Sequence, residues 1–351
     1  MPEPHRLVDL TVIGGGPVGL FTAFYAGMRG MTVRIVDALP ELGGQLLALY
    51  PEKYVYDMPG FPKVLAKDLS REMVEQALQF EPDIVLDETA RELCVTREGY
   101  LIRTQTGHEL PTRTIVISAG AGAFTPARLG IEREAVFEGR GLFYGVKESS
   151  IFEGKRLGIV GGGDSALDWC LHLQPVAREL ILIHRRDQFR AHEDSVRKVF
   201  ELPIRKRLFY VVKELLGEDR LEGIVLENTQ TKELDRLELD ALIVNVGFKS
   251  NLGPIRDWGL EIVKSQIKVD RRFETTRKGI FAVGDVCAFE EKLKLIATGV
   301  GEATTAVCFV KTYLDPGAKL FPGHSTEMDL PASHVPAKAV ETPPTGESRS
   351  V

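Results

Sequence analysis

Residues 7–19 read LVDLTVIGGGPVG, and residues 155–166 read KRLGIVGGGDSA. Each is a β-rich apolar run that enters a cluster of glycines. Each is followed by an apolar stretch of helical length, LFTAFYAGMRG at 20–30 and LDWCLHLQPVA at 167–177. A second strand then closes each unit, MTVRIVDA at 31–38 and ELILIHRR at 179–186. The chain therefore contains one βαβ unit twice, and that strand–turn–helix context is what gives a glycine-rich match its meaning. In the first copy Gly14, Gly16 and Gly19 serve a tight turn, close backbone approach to a pyrophosphate and close helix packing, with Pro17 opening the helix. In the second copy Gly161, Gly163 and Ala166 hold these positions, with Asp164 and Ser165 at the helix entry.

The ends of the second strands separate the two copies. Asp37 stands 23 residues after Gly14, where a carboxylate accepts the hydroxyls of an unphosphorylated ribose. His184 stands 23 residues after Gly161, followed by Arg185 and Arg186, with Arg190 close behind. Guanidinium groups pair bidentately with phosphate, so this site is expected to take the 2′-phosphate of NADP and to discriminate against NAD. A solvated basic turn is the plainer reading of the same residues. Two adjacent dinucleotide sites imply hydride transfer between NADPH and a flavin, FAD being the redox partner that the first site supplies.

Further β-rich runs, YLIRTQ, TIVISAG, LEGIVLEN and ALIVNVG, lie around the second unit. With them the sequence predicts an α/β protein of two Rossmann-like dinucleotide-binding domains. The Gly284-Asp285 turn far downstream looks like first-domain chemistry, so the NADP domain is expected to be inserted into the FAD domain. The expected boundaries are 1–120 and 246–327 for the discontinuous FAD-binding domain and 121–245 for the NADP-binding domain. Prolines accumulate from Pro316 onward, and residues 328–351 are expected to form a disordered tail.

Composition narrows the class. The chain has 351 residues, 44% hydrophobic and 27% charged, with a net charge of −6. That allows two separate cores and argues against nucleic acid as a partner. No apolar run is long enough to cross a membrane, and MPEPHRLVDL lacks signal-peptide regions, so a cytoplasmic protein with no membrane partner is expected. Cys94, Cys170, Cys287 and Cys308 form no CxxC and are read as buried structural thiols. The seven histidines show no metal spacing, and no triad or carboxylate dyad stands out, so neither a metal nor a catalytic side chain is expected. Residues 178–213 hold ten Lys and Arg against five Asp and Glu, including Arg205, Lys206 and Arg207. They could form a docking patch for an acidic protein, or simply a solvated face.

The blocks GGGPVG, LGGQ at 42–45, ISAG at 117–120, GGGDSA with HRRDQFRAHE, and GIFAVGDVC at 279–287 resemble the thioredoxin-reductase-like flavoproteins along nearly all of residues 7–327. The resemblance implies that Asp285 binds the ribityl and phosphate region of FAD. It places Gly44 and Gln45 at the isoalloxazine or ribityl chain, Ala90 at the adenine, and Phe124 against the FAD. The dithiol of thioredoxin reductases is missing: Gly145, Val146, Lys147 and Glu148 occupy its place, which excludes the usual disulfide relay. This departure, with the added C-terminal segment, is similar to ferredoxin-NADP reductases of the thioredoxin-reductase-like type. In that family Tyr50 and His324 would sandwich the isoalloxazine, the tail would come from the partner of a homodimer, and Thr326 would touch that flavin. The implied reaction runs between NADPH and a ferredoxin or flavodoxin. A small-molecule NADPH oxidase or diaphorase and an FAD-binding redox sensor are the competing readings.

Overall fold

The computed structural model describes residues 5–120, 122, 125–146, 148–249 and 251–324. Val8–Ile13 lies at the centre of the first sheet because it is apolar on both faces, with every residue but Asp9 buried. Such a strand needs cover on both sides, the condition of a parallel sheet. It pairs in parallel with Val33–Val36 on one side and Glu109–Ile117 on the other. Asp83–Val85 extends the first edge, and Ile280–Ala282 joins in parallel beside Ile115–Ile117. Tyr100–Thr104 and Ala90–Val95 add an antiparallel wing. The helices Pro17–Met28 and Ile296–Leu314 pack on one face, burying Leu20, Ala23, Ala303 and Val307 against Leu10 and Val12. Trp258, Leu252 and Ile255 cover the other face.

One buried cation in this sheet looks anomalous until its bonds are traced. Arg34 is fully enclosed, yet its guanidinium reaches Asp83 Oδ2 at 2.6 Å, the Arg6 carbonyl at 2.7 Å and the Pro111 carbonyl at 3.1 Å. A buried charge is tolerable when it is paired and hydrogen-bonded in this way.

The second sheet is built wholly from residues 142–245. Its parallel strands run in the order Leu142–Phe143, Ala241–Asn245, Arg156–Gly161, Glu179–His184 and Arg205–Leu208. The helix Asp164–Leu173 packs on one face through Leu167, Cys170 and Leu173. A three-stranded antiparallel sheet, Tyr210–Leu216, Gly223–Asn228 and Leu234–Glu238, adds its apolar side to the other core. The chain leaves the first unit through Thr125–Pro126 and returns through Phe248–Lys249, and these two short strands pair antiparallel. The architecture is thus α/β with two doubly wound units, one inserted into the other.

The basic run has partners of its own. Arg205 pairs with Glu179 at 2.5 Å and Arg207 with Asp235 at 2.9 Å. Lys206 caps the end of a helix by donating to the carbonyls of Phe200 and Leu202. The excess positive charge of residues 178–213 is therefore partly spent inside the domain, which favours the solvated-face reading of that run over a docking patch. Among the described residues no helix is long and apolar enough to cross a membrane. Phe124, Thr326 and the 328–351 tail lie outside the described residues.

Candidate functional site

At the carboxyl ends of the first sheet, where ligands of open α/β sheets bind, lies a cleft of about 430 Å³. Gly14, Gly16 and Pro17 line it at the start of the first fingerprint helix. Asp37, Ala90, Gly44, Gln45, Tyr50 and Asp285 line it too. Gly19 faces away from the cleft and has a packing role. A Cβ there would sit 1.8 Å from the Gly14 carbonyl oxygen and 2.6 Å from Ser118 Oγ. The Ser118 hydroxyl in turn donates to the carbonyls of Ile13 and Gly14 at 3.1 and 2.9 Å, fixing the turn from beneath.

Asp37 is buried, and its two oxygens accept the backbone N–H groups of Gly15 and, at 2.8 Å, Leu39. Burial raises its pKa above the ordinary carboxylate value, partly opposed by those backbone bonds. Each oxygen keeps a further lone pair, so the carboxylate can still receive two hydroxyls. Burial also raises the Tyr50 phenol, and the charges of Asp285 and Asp57 push it the same way. Tyr50 is therefore neutral at physiological pH and close enough to Asp285 to sense it.

The cleft also recruits residues that the motifs did not single out. Gly122, two residues beyond the ISAG block, lines it, as do Asn251–Ile255 and Lys294–Ile296. A glycine shortly after a strand end was a readable signal. Asn251–Ile255 and Lys294–Ile296 have no local pattern, and only the fold brings them there.

A second cavity of about 450 Å³ opens beside the second fingerprint and is lined by Asp164, Arg190, Ala191, His192 and Glu193. The chain from Arg185 to His192 is stitched back onto the glycine turn. The Arg190 N–H donates to the Gly162 carbonyl at 2.7 Å, and the His192 N–H donates to Asp164 Oδ1 at 2.8 Å. Gly163 caps the helix, with open space where a Cβ would stand, and Ser165 follows in its first turn. Ala166 is fully buried, its methyl filling the space that a Cβ on Gly161 would contest at 2.7 Å. Arg185 and Arg190 are exposed and Arg186 is half-buried, with its Nε enclosed and without a partner among the described residues.

His184 takes a different place from its arginine neighbours. It is only 8% exposed and lies under the glycine turn, its ring 4.8 Å from that of Phe189 and its Nε2 3.1 Å from the Gln188 carbonyl. Burial, with Arg185 and Arg186 nearby, depresses its pKa, so the imidazole is neutral. A Cβ on Gly162 would meet this ring at 2.2 Å. Gly162→Ala is thus expected to destabilise the protein by about 1–3 kcal/mol. Adding His184→Ala should recover much of that loss, because the three atoms nearest such a Cβ all belong to this ring. Thermal unfolding of both variants checks this, and additive losses would refute it.

The turn that follows Tyr50 touches the second unit. Tyr50 lines the first cleft, and Glu52 and Lys53 directly after Pro51 reach the second unit. Lys53 Nζ lies 3.0 Å from Asp168 Oδ2, and Glu52 accepts from the Ser149 N–H at 3.1 Å with His172 at 3.8 Å. The tail begins elsewhere. Arg29, at the far end of the Pro17–Met28 helix, donates to the Lys319 and Leu320 carbonyls at 2.7 and 2.9 Å. The His324 ring meets that of Phe321 at 5.4 Å and does not line this chain's cleft.

The cysteines are all unpaired, and burial pushes the Cys170 and Cys287 thiols up to about 12. Neither supplies a thiolate near neutral pH. The glycine floors, the buried carboxylate at one strand end and the guanidiniums at the other fit FAD and NADP(H).

The pyridine nucleotide-disulphide oxidoreductase family matches this chain over residues 8–307. A protein named ferredoxin–NADP reductase 2 from Bacillus velezensis is 47% identical over 328 residues, covering 93% of this chain and 99% of that one. Another of that name from Shouchella clausii is 46% identical, covering 93% of this chain and all of the relative. Among solved structures, Lactococcus lactis thioredoxin reductase superposes with a TM-score of 0.77 at 25% identity, covering 88% of this chain and 99% of that one. A second solved structure, T. acidophilum thioredoxin reductase, has a TM-score of 0.78 at 24% identity over 90% of this chain and 100% of its own, and speaks for the fold alone. With both dinucleotide cradles in place, this chain belongs to the pyridine nucleotide-disulphide oxidoreductase family, in the group of the ferredoxin–NADP reductases.

Proposed function

We propose that this chain is a ferredoxin–NADP reductase that passes electrons between NADP(H) and a ferredoxin through FAD. One observation carries the reading: a single chain holds two glycine turns at strand–helix junctions, with Asp37 after the second strand of one, Arg185 and Arg186 after the second strand of the other, and no CxxC in the sequence. The bound cofactors supply the chemistry, hydride exchange on the nicotinamide side and single-electron exchange on the ferredoxin side. The protein's own groups position and shield.

In this reading residues 1–120 with 246–327 carry FAD and residues 121–245 carry NADP(H). The Gly14–Gly19 turn presents backbone N–H groups and a helix N-terminus to the pyrophosphate, and Asp37 accepts the ribose hydroxyls. Arg185, Arg186 and Arg190 receive the 2′-phosphate, and His184 and Asp164 hold the strand end and loop that carry them. Tyr50 covers one face of the isoalloxazine. The Arg29 anchorage starts the tail at the distal end of the helix, which supports delivery of His324 to the cleft of a second copy in a homodimer.

The test is NADPH-driven cytochrome c reduction with and without added ferredoxin, and with flavodoxin in a parallel arm. Ferredoxin dependence is expected. Equal rates without any carrier would assign a small-molecule diaphorase instead.

Asp37 gives a pH test. Its ionised form accepts the hydroxyls, so protonation as pH falls through its raised pKa weakens FAD retention, beginning above the usual carboxylate range. In the cofactor-free fold the sign is opposite, since ionising a carboxyl whose folded pKa is raised lowers stability as pH rises. Asp37→Asn should bind FAD more weakly at neutral pH and flatten the acid-side decline. FAD fluorescence across a pH series reads both, and a decline unchanged in the Asn variant would refute the assignment.

A further inference from the structure

Beneath the first cleft lies an ion pair that the electron-transfer reading does not use. The side chains of Lys292 and Glu302 are 6% and 7% exposed and face each other. Withdrawing two charges from water is costly unless the remaining lone pairs are also filled. The second carboxylate oxygen of Glu302 accepts the backbone N–H of Gly284 at 2.7 Å. The Cys287 thiol donates to the Gly284 carbonyl at 3.2 Å and lies 3.6 Å from Glu302 Oε2. Gly284 is thus held at its N–H and its C=O, in a left-handed conformation with φ of +77°, directly before the cleft residue Asp285.

The same carboxylate reaches a second part of the cleft. Lys292 begins the short segment that leads to Lys294, Leu295 and Ile296, all of which line the cleft. One helical turn before Glu302, a Cβ on Gly299 would meet Val18 Cγ2 at 2.5 Å and Gly284 Cα at 3.5 Å. The C-terminal helix therefore packs where three cleft-forming segments meet: the phosphate turn at Val18, the Gly284–Asp285 turn and the Lys292–Ile296 segment. An apolar pair could fill the same volume at no greater cost. It could not satisfy the Gly284 N–H.

We propose that Glu302 is a positioning residue of the FAD cleft: its carboxylate, held by Lys292, fixes the Gly284–Asp285 turn and the Lys294–Ile296 rim in the geometry that receives the cofactor. This rests on the first cleft being the FAD site. The test follows release of FAD from the full-length holoenzyme by its rise in fluorescence, with circular dichroism and thermal unfolding in parallel. A wild-type protein that takes up no FAD would overturn the cleft assignment and this proposal with it, whereas the variants below test Glu302 alone.

With FAD present in the wild type, Glu302→Gln with Lys292→Met keeps an acceptor for Gly284 and removes both charges. It should release FAD within about threefold of the wild-type rate. Glu302→Leu with Lys292→Met fills the space but orphans the Gly284 N–H. It should keep the wild-type circular dichroism and release FAD at least about tenfold faster, or purify folded without it. Wild-type release from the Leu/Met variant would overturn the proposal. Should that variant fail to fold, Glu302→Asp decides: it keeps a charge for Lys292 but withdraws the acceptor from Gly284 by one methylene. FAD release about tenfold faster is expected of it, and an unchanged rate would overturn the proposal equally.

Discussion

Replacing Arg185 and Arg186 together by Ala is expected to raise the Michaelis constant for NADPH roughly 100-fold and to leave that for NADH within about twofold. Hydrogen bonds to charged groups contribute about 1.5–3 kcal/mol each, and solvent screening at the exposed Arg185 brings the pair toward the lower end. The selectivity follows from what the two nucleotides share. In the proposed reading their pyrophosphates would meet the same Gly161–Gly163 turn and helix entry, and only the 2′-phosphate of NADPH would need a cation. Steady-state kinetics with both nucleotides and one acceptor measures the effect. Equal losses for NADPH and NADH would remove the phosphate assignment and leave the arginines as a general basic surface.

Gly19→Ala should cost the protein both its fold stability and its FAD, whereas Gly16→Ala should cost only the FAD. A methyl on Gly19 would have to displace the Gly14 carbonyl, 1.8 Å away, together with the Ser118 hydroxyl that braces it. Backbone cannot yield as a flexible side chain does, so the destabilisation should reach about 3 kcal/mol or more. Gly16 has an ordinary φ of −76° and only Gly44 Cα, at 3.8 Å, near its absent Cβ. A methyl there would stand in the cleft, where the proposed reading brings the pyrophosphate. Thermal unfolding combined with flavin content separates the two outcomes, and a Gly19→Ala protein that is stable and yellow would contradict the close-packing account.

The two βαβ units and the insertion of one into the other were legible because the glycine turns fix both the period and the register. Asp37 and Arg185 could be placed at strand ends by counting from Gly14 and Gly161. Counting could not say where a side chain points. In Glu179–His184 every residue from Leu180 onward is buried, so the strand shows no alternation to separate His184 from Arg185. The sequence reading grouped the imidazole with the guanidiniums, and the structure sets it beneath the turn. Asp164 reads as part of the nucleotide fingerprint, and it lines the second cavity while one of its oxygens accepts the His192 N–H. The Arg205–Arg207 run left a docking patch and a solvated face both open in the sequence, because Glu179 and Asp235, which pair with Arg205 and Arg207, lie on other strands. Tyr50 and His324 carry no local signature, and only resemblance to a family singled them out. Glu302 was invisible for the same reason, since nothing in GVGEATTAV announces a buried carboxylate.

The pairing of Ile280–Ala282 with Ile115–Ile117 has a bearing on how the chain is made. All strands of the inserted sheet come from residues 142–245, so that unit is complete in sequence well before the ribosome reaches Ile280. The outer sheet has no such independence. Its Glu109–Ile117 strand must wait, one stretch of its edge unpaired, until the whole insert has emerged and the Ile280–Ala282 strand arrives. An incomplete strand edge is an invitation to wrong partners during synthesis. The order of assembly is thereby set from the inside out: the insert closes first, and the C-terminal helix and its neighbouring strand seal the older sheet last.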